Sequence, residues 1–112
     1  MVERTERDEL GAIARELSQI ARSGKVLPGS ITERRMRCGR SGCGCHADPP
    51  RLHGPYWQWT RKLKQKTLGR YLSDKQAASY EPWIENDRRM RELLSRLEQI
   101  GIERLEAEHR PS

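Results

Sequence analysis

All three cysteines of the chain fall within eight residues, Cys38-Gly-Arg-Ser-Gly-Cys43-Gly-Cys45, and two of its three histidines follow at His46 and His53. That cluster sits in a stretch no regular element can cross. Gly39, Gly42, Gly44, Pro49, Pro50, Gly54 and Pro55 interrupt it. A long loop inside a small domain needs something to order it. The remaining composition makes that need acute. Only 34% of the 112 residues are hydrophobic, another 34% are charged, and there is no Phe. Domains this small and polar depend on a metal, a disulfide or a partner chain for stability.

Soft thiolates beside imidazoles suit tetrahedral zinc, and a closed structural site takes four protein ligands. Cys38, Cys43 and Cys45 supply three. The fourth is His46 or His53. Neighbouring residues rarely both reach one ion, so His53, just before Gly54-Pro55, is preferred over His46, which adjoins Cys45. The glycines between the cysteines are expected to let the backbone turn tightly enough for the thiolates to converge. Arg37 and Arg40 favour the thiolate form. The competing readings are free thiols in a reducing compartment and a Cys43–Cys45 redox pair. No thioredoxin-like pattern accompanies the latter.

Charge is concentrated around this loop. Residues 25–70 carry eleven basic and two acidic side chains, a net charge of +9, while the segments on either side are nearly neutral. Arg34, Arg35, Arg37 and Arg40 lie before or within the cysteine cluster. Arg61, Lys62, Lys64, Lys66 and Arg70 follow it. Concentrated positive charge attracts polyanions through counterion release, so these nine residues are the expected nucleic-acid contacts. If the segment is extended, alternation places Lys62, Lys64 and Lys66 on one side. Tyr56, Trp57, Trp59 and Tyr71 are expected mainly to pack the sheet, and base stacking is their alternative use.

The rest of the chain reads as an α+β domain, a single unit over 1–112. Leu10, Ile13, Ala14, Leu17, Ile20 and Ala21 follow helical spacing, giving an N-terminal helix over 4–22 that Ser23-Gly24 terminates. Residues 28–55 form the knuckle loop. Within it, Ile31–Arg37 is either a short helix or a strand leading into the cysteines. Residues 56–72 are a β-hairpin and 73–108 a helical region, capped at Ser73-Asp74. Pro82 is expected to kink or restart that helix, and Gly101 to weaken it. Residues 109–112 should fray. The two helices are expected to pack antiparallel, the second through a seam of Trp83, Met90, Leu93, Leu94, Leu97 and Ile100.

No apolar run is long enough to span a membrane, and the charged N-terminus has no secretory character. A cytoplasmic location is therefore expected. Acid–base catalysis needs carboxylates or an imidazole converging in a cleft, and no such pattern is present. A binding module is expected rather than an enzyme.

Pro28-Gly29-Ser30, Arg37-Cys38-Gly39, Gly42-Cys43-Gly44-Cys45 and His53-Gly54-Pro55-Tyr56 together resemble a small bacterial family of unknown function with zinc-knuckle-like members. Lys66-Thr67, Arg70-Tyr71-Leu72 and Trp83-Ile84-Glu85-Asn86 extend the resemblance over residues 28–97. It implies Cys38, Cys43, Cys45 and His53 as metal ligands, with His46 outside the shared pattern. It also implies a mobile-element setting, which favours DNA over RNA and suggests a recombinase or transposase as partner. The rival expectation is a protein-interaction adaptor or homodimer built on the C-terminal helix, with zinc purely structural.

Overall fold

The structure, a computed structural model, describes residues 2–109; the expected fraying of 110–112 lies outside the described residues. The element order is helix α1 (Val2–Ser23), strands β1 (Ser30–Met36), β2 (His53–Leu63) and β3 (Lys66–Leu72), and helix α2 (Asp74–Glu108). A 3₁₀ turn, Gly44–His46, lies between β1 and β2. The fold is α+β. The chain divides into two compact units: residues 28–82, and the chain ends 1–27 together with 83–112.

In the unit formed by the chain ends, Ile13, Ile20, Leu93 and Ile100 form the buried core, and Leu10, Leu17, Val26 and Met90 pack against it. Removing such aliphatic side chains from water contributes about 1.5–3 kcal/mol each. Ion pairs flank the core: Glu16 with Arg89, Glu9 with Arg96 and Glu6 with Arg104. As the α1 partner moves towards the N-terminus, the α2 partner moves towards the C-terminus. Exposed pairs of this kind add little stability individually, but together they fix which turns face each other. α1 ends where Gly24 adopts φ +64° and returns its N–H to the Ala21 carbonyl at 3.2 Å, a left-handed C-terminal cap.

The seam differs from the heptad expectation. Ile84 is 1% exposed and Asp87 is also buried, whereas Leu94 and Leu97 are exposed at 41% and 39%. The buried stripe therefore runs through Ile84, Asp87, Leu93 and Ile100. Arg91 pairs with the buried Asp87 carboxylate at 2.9 Å.

α2 begins with a reciprocal cap. The Gln76 N–H donates to Ser73 Oγ at 3.1 Å, and the Ser73 N–H donates to Gln76 Oε1 at 2.9 Å. This capping box satisfies two N–H groups that a helix start leaves orphaned. The helix continues through Pro82 without a restart and past Gly101 to Glu108. An interior proline costs about 3 kcal/mol. Ala77, Ile84, Leu93 and Ile100, all buried along the same helix, offset that cost.

In the unit 28–82, β2 is central and pairs antiparallel with β1 and β3. The strand alternative for Ile31–Arg37 is the one adopted, so the sheet has three strands rather than the two of a hairpin. The β2–β3 turn is Lys64-Gln65, at φ 49° and 67°. Two residues at positive φ match the twist of a two-residue hairpin loop, here achieved without glycine. Gly29, at φ +101°, is different: a Cβ there would overlap the Thr60 carbonyl.

Candidate metal centre

Register places the cluster. Met36, the last residue of β1, pairs with His53, the first of β2. The connection from 37 to 52 must therefore leave and return at the same point of the sheet. Within it the Cys43 N–H donates to the Arg40 carbonyl at 3.2 Å, and the His46 N–H to the Cys43 carbonyl at 3.0 Å. The Arg51 N–H then bonds the Gly44 carbonyl at 3.0 Å, turning the chain back towards β2.

Cys38, Cys43, Cys45 and His53 converge so that one donor atom from each lies within 4.8 Å of the others. Cys45 Sγ is 3.6 Å from Cys38 Sγ, and Cys43 Sγ is 3.2 Å from His53 Nε2. Metal–sulfur bonds of about 2.3 Å in a tetrahedron put sulfurs roughly 3.8 Å apart, and sulfur and nitrogen roughly 3.5 Å apart. The donor set and its spacing therefore fit a tetrahedral ion. All three cysteines are free thiols.

The electrostatics are graded. The Cys45 backbone N–H, then the Cys45 and His53 side chains, hold the Cys43 thiol down at about 6. Burial pushes Cys45 up, since its side chain is fully enclosed. The Cys38 N–H donates to Cys45 Sγ at 3.2 Å, opposing that rise. A bound cation would remove the conflict by stabilising every thiolate at once.

His46 is not part of the group. Its Nε2 lies 2.7 Å from the Cys38 carbonyl oxygen and its ring is exposed. The glycine expectation needs revision. Gly39 and Gly42 have open space around them, a Cβ on Gly44 would meet the Arg51 guanidinium at 3.1 Å, and none of the three has a positive φ. The constrained glycine is Gly54, at φ +128°, where a Cβ would come within 2.8 Å of the Arg34 carbonyl. The tight backbone approach comes directly after His53, not between the cysteines.

The nine basic residues do not share a surface. Lys62 pairs with Thr67, and Lys66 with Leu63, so these two lysines project from opposite faces, while Lys64 sits in the turn. A turn at 64–65 replaces the extended segment that would have aligned them. Arg34 shares a face with Lys62 and donates from Nη1 to Gln58 Oε1 at 2.9 Å. Arg61 and Arg70, opposite Leu68 and Trp59, belong to the other face. Arg35 pairs with Glu33 at 3.4 Å. Arg37 and Arg40 are exposed in the connection that holds the cysteines.

The aromatics divide in the same way. Trp57 and Trp59 pack: their indole N–H groups donate to Asp74 Oδ1 at 2.8 Å and to the Pro28 carbonyl at 2.7 Å. Tyr56 and Tyr71 are exposed instead, at 42% and 61%, with ring centroids 6.4 Å apart at 69°. Gln58, opposite Tyr71, was not singled out from sequence. The alternation of positions 56, 58, 60 and 62 against 57, 59 and 61 was the available signal.

A family model described as a domain of unknown function (DUF6788) matches residues 4–82. No curated protein and no solved structure matches the chain. The match begins and ends earlier than the 28–97 span of the resemblance. It includes most of α1, and it stops at Pro82, before Trp83-Ile84-Glu85-Asn86. Among the described residues no helix is long and apolar enough to cross a membrane.

Proposed function

The chain belongs to this family of unknown function, and we propose that it is a non-enzymatic nucleic-acid-binding accessory whose sheet is braced by one structural zinc ion. The observation that carries the proposal is the convergence of Cys38, Cys43, Cys45 and His53 in the most basic part of the sequence. Zinc is favoured by the three-thiolate, one-imidazole donor set. Its role is structural, because four protein ligands leave no open position. A reducing cytoplasm suits three unpaired thiols. DNA is favoured over RNA, and a recombinase or transposase as accompanying protein, on the mobile-element setting that the resemblance implies.

The test has two parts. Protein purified without added metal should carry one zinc per chain, and Cys43→Ser should lose it. The metal-loaded chain should bind oligonucleotides with an affinity that falls steeply with salt. Replacing Lys62, Lys64 and Lys66 with Ser should reduce that slope. A zinc-free folded protein refutes the first part. Salt-independent binding, or none at low salt, refutes the second.

One observation favours a second reading, a protein-interaction adaptor or helix-mediated homodimer. Leu94, Leu97 and Leu105 are exposed at spacings that place them on one side of α2. Sedimentation of the wild type and of Leu97→Asp distinguishes the two. A dimer dissociated by that change supports the helix-mediated homodimer.

A further inference from the structure

Within residues 28–82 the two faces of the sheet have different fates. One carries Ile31, Trp57 and Trp59. Trp57 bonds Asp74, and Ile31 and Trp57 share a groove with Ala77 and Ala78 at the start of α2. This part of the face is used for packing, while Leu63, Lys66 and Leu68, nearer the turn on the same face, are exposed. The other carries Thr32 and Arg34 from β1, Tyr56, Gln58 and Lys62 from β2, and Thr67 and Tyr71 from β3. All of these but the half-buried Gln58 are exposed.

Tyrosine rings are costly to leave exposed on a chain that has only six aromatic residues and no Phe. Both could pack behind the sheet if register were shifted by one residue, since that moves every side chain to the opposite face. Instead the tryptophans pack and the tyrosines face out. The two tyrosine rings meet edge to face, and beside them, opposite Tyr71, lies Gln58, a donor and acceptor held by Arg34 Nη1 at 2.9 Å. Arg37 and Arg40 lie beyond the β1 end of this face, and Lys62 and Lys64 at the turn end. A ligand crossing the face meets positive charge at entry and exit, and in the middle two tyrosine rings with the Gln58 amide beside them.

We infer that this open face binds an unpaired run of nucleotides, with Tyr56 and Tyr71 each stacking on a base and Gln58 presented to a base edge. The inference rests on the nucleic-acid reading and specifies the kind of strand. Unpaired bases expose π-faces that aromatic side chains can cover, and a sheet face is a suitable platform. A duplex keeps those faces stacked internally, so the tyrosines would gain nothing from it. Charge complementarity selects the occupant: an apolar peptide would leave Arg34 and Lys62 without counter-charge.

The experiment is fluorescence anisotropy with the metal-loaded full chain and labelled oligo-dT, oligo-U and a duplex of equal length. The variants are Tyr56→Ala, Tyr71→Ala, Tyr71→Phe and the triple Lys62/Lys64/Lys66→Ser. Single strands should bind more tightly than duplex. Each Tyr→Ala change should weaken single-strand binding at least about fivefold. Their salt slope and their duplex affinity should not change, and Tyr71→Phe should bind like the wild type. The relative affinity for oligo-dT and oligo-U tells DNA from RNA as the source of the strand. Both tyrosines are exposed, so folding is not at stake, and circular dichroism checks it. Duplex preference, or Tyr→Ala variants within twofold of wild type, overturns the stacking face. If the lysine variant still weakens binding in that case, the broader nucleic-acid reading stands. Absence of binding to all three probes overturns both.

Discussion

Stripping the proposed zinc ion from Cys38, Cys43, Cys45 and His53 is expected to melt the sheet of residues 28–82 while leaving α1 protected. The magnitude follows from the loop the ion closes. Cys38 and His53 delimit a loop of about 15 residues, and cross-linking one of that size restricts the unfolded chain by about 3 kcal/mol. Small domains lose roughly 4–8 °C in Tm per kcal/mol. Chelation should therefore lower the melting temperature of the sheet by about 12–24 °C, and lost metal–ligand bonding would add to this. Amide hydrogen exchange by mass spectrometry resolves where protection is lost. Peptides from β1 and β2 should exchange after chelation, and peptides from α1, whose Ile13 and Ile20 belong to the other core, should not. Cys45→Ser should reproduce the chelated state, since its enclosed sulfur has no solvent to replace the ligand. His46→Ala should keep its metal. Unchanged β1 and β2 exchange after verified metal loss would refute the reasoning, because the hydrogen bonds of the connection alone would then hold the loop.

Three further outcomes are expected. Arg96 and Arg89 hydrogen-bond the charged forms of Glu9 and Glu16 and hold both carboxyls below their ordinary value of 4.5. Their contribution is complete above that value and is lost as pH falls through the lowered folded values, so urea midpoints should drop below about pH 4.5 and less so in Arg89→Ala/Arg96→Ala. Gly29→Ala should destabilise by about 1–3 kcal/mol, from positive φ and the Thr60 carbonyl, and a wild-type denaturation curve would contradict this. Pro82→Ala should stabilise by about 1–3 kcal/mol, by restoring a helical N–H to the middle of α2; an unchanged urea midpoint would mean that the proline costs nothing there.

Local chemistry was readable in the sequence wherever one residue type has one physical use. Apolar spacing located α1, Ser73 located the start of α2, and the cysteine spacing with His53 located the metal candidates. Features set by distant pairing were not readable. Ile31–Arg37 becomes a strand because β2 offers it a partner, which no local preference reveals. The lysines separate because the turn falls at Lys64-Gln65, two residues without the usual Asn-Gly signature. Pro82 remains helical because the turns on both sides bury side chains, so burial outweighs a local penalty. Leu97 fits the heptad as well as Leu93 does, yet only Leu93 is buried.

The division of the chain also sets an order of assembly. Residues 28–82 form one uninterrupted stretch, whereas the other unit joins residues 1–27 to residues after 82. During synthesis from the N-terminus, α1 emerges first but must wait for Leu93 and Ile100 before its apolar stripe is covered. The sheet closes through pairings nearer in sequence, and nearby contacts form faster than distant ones. Capture of the proposed zinc ion can therefore precede completion of the helical core. The nascent chain would carry a finished sheet between an unpartnered helix and a helix still being made.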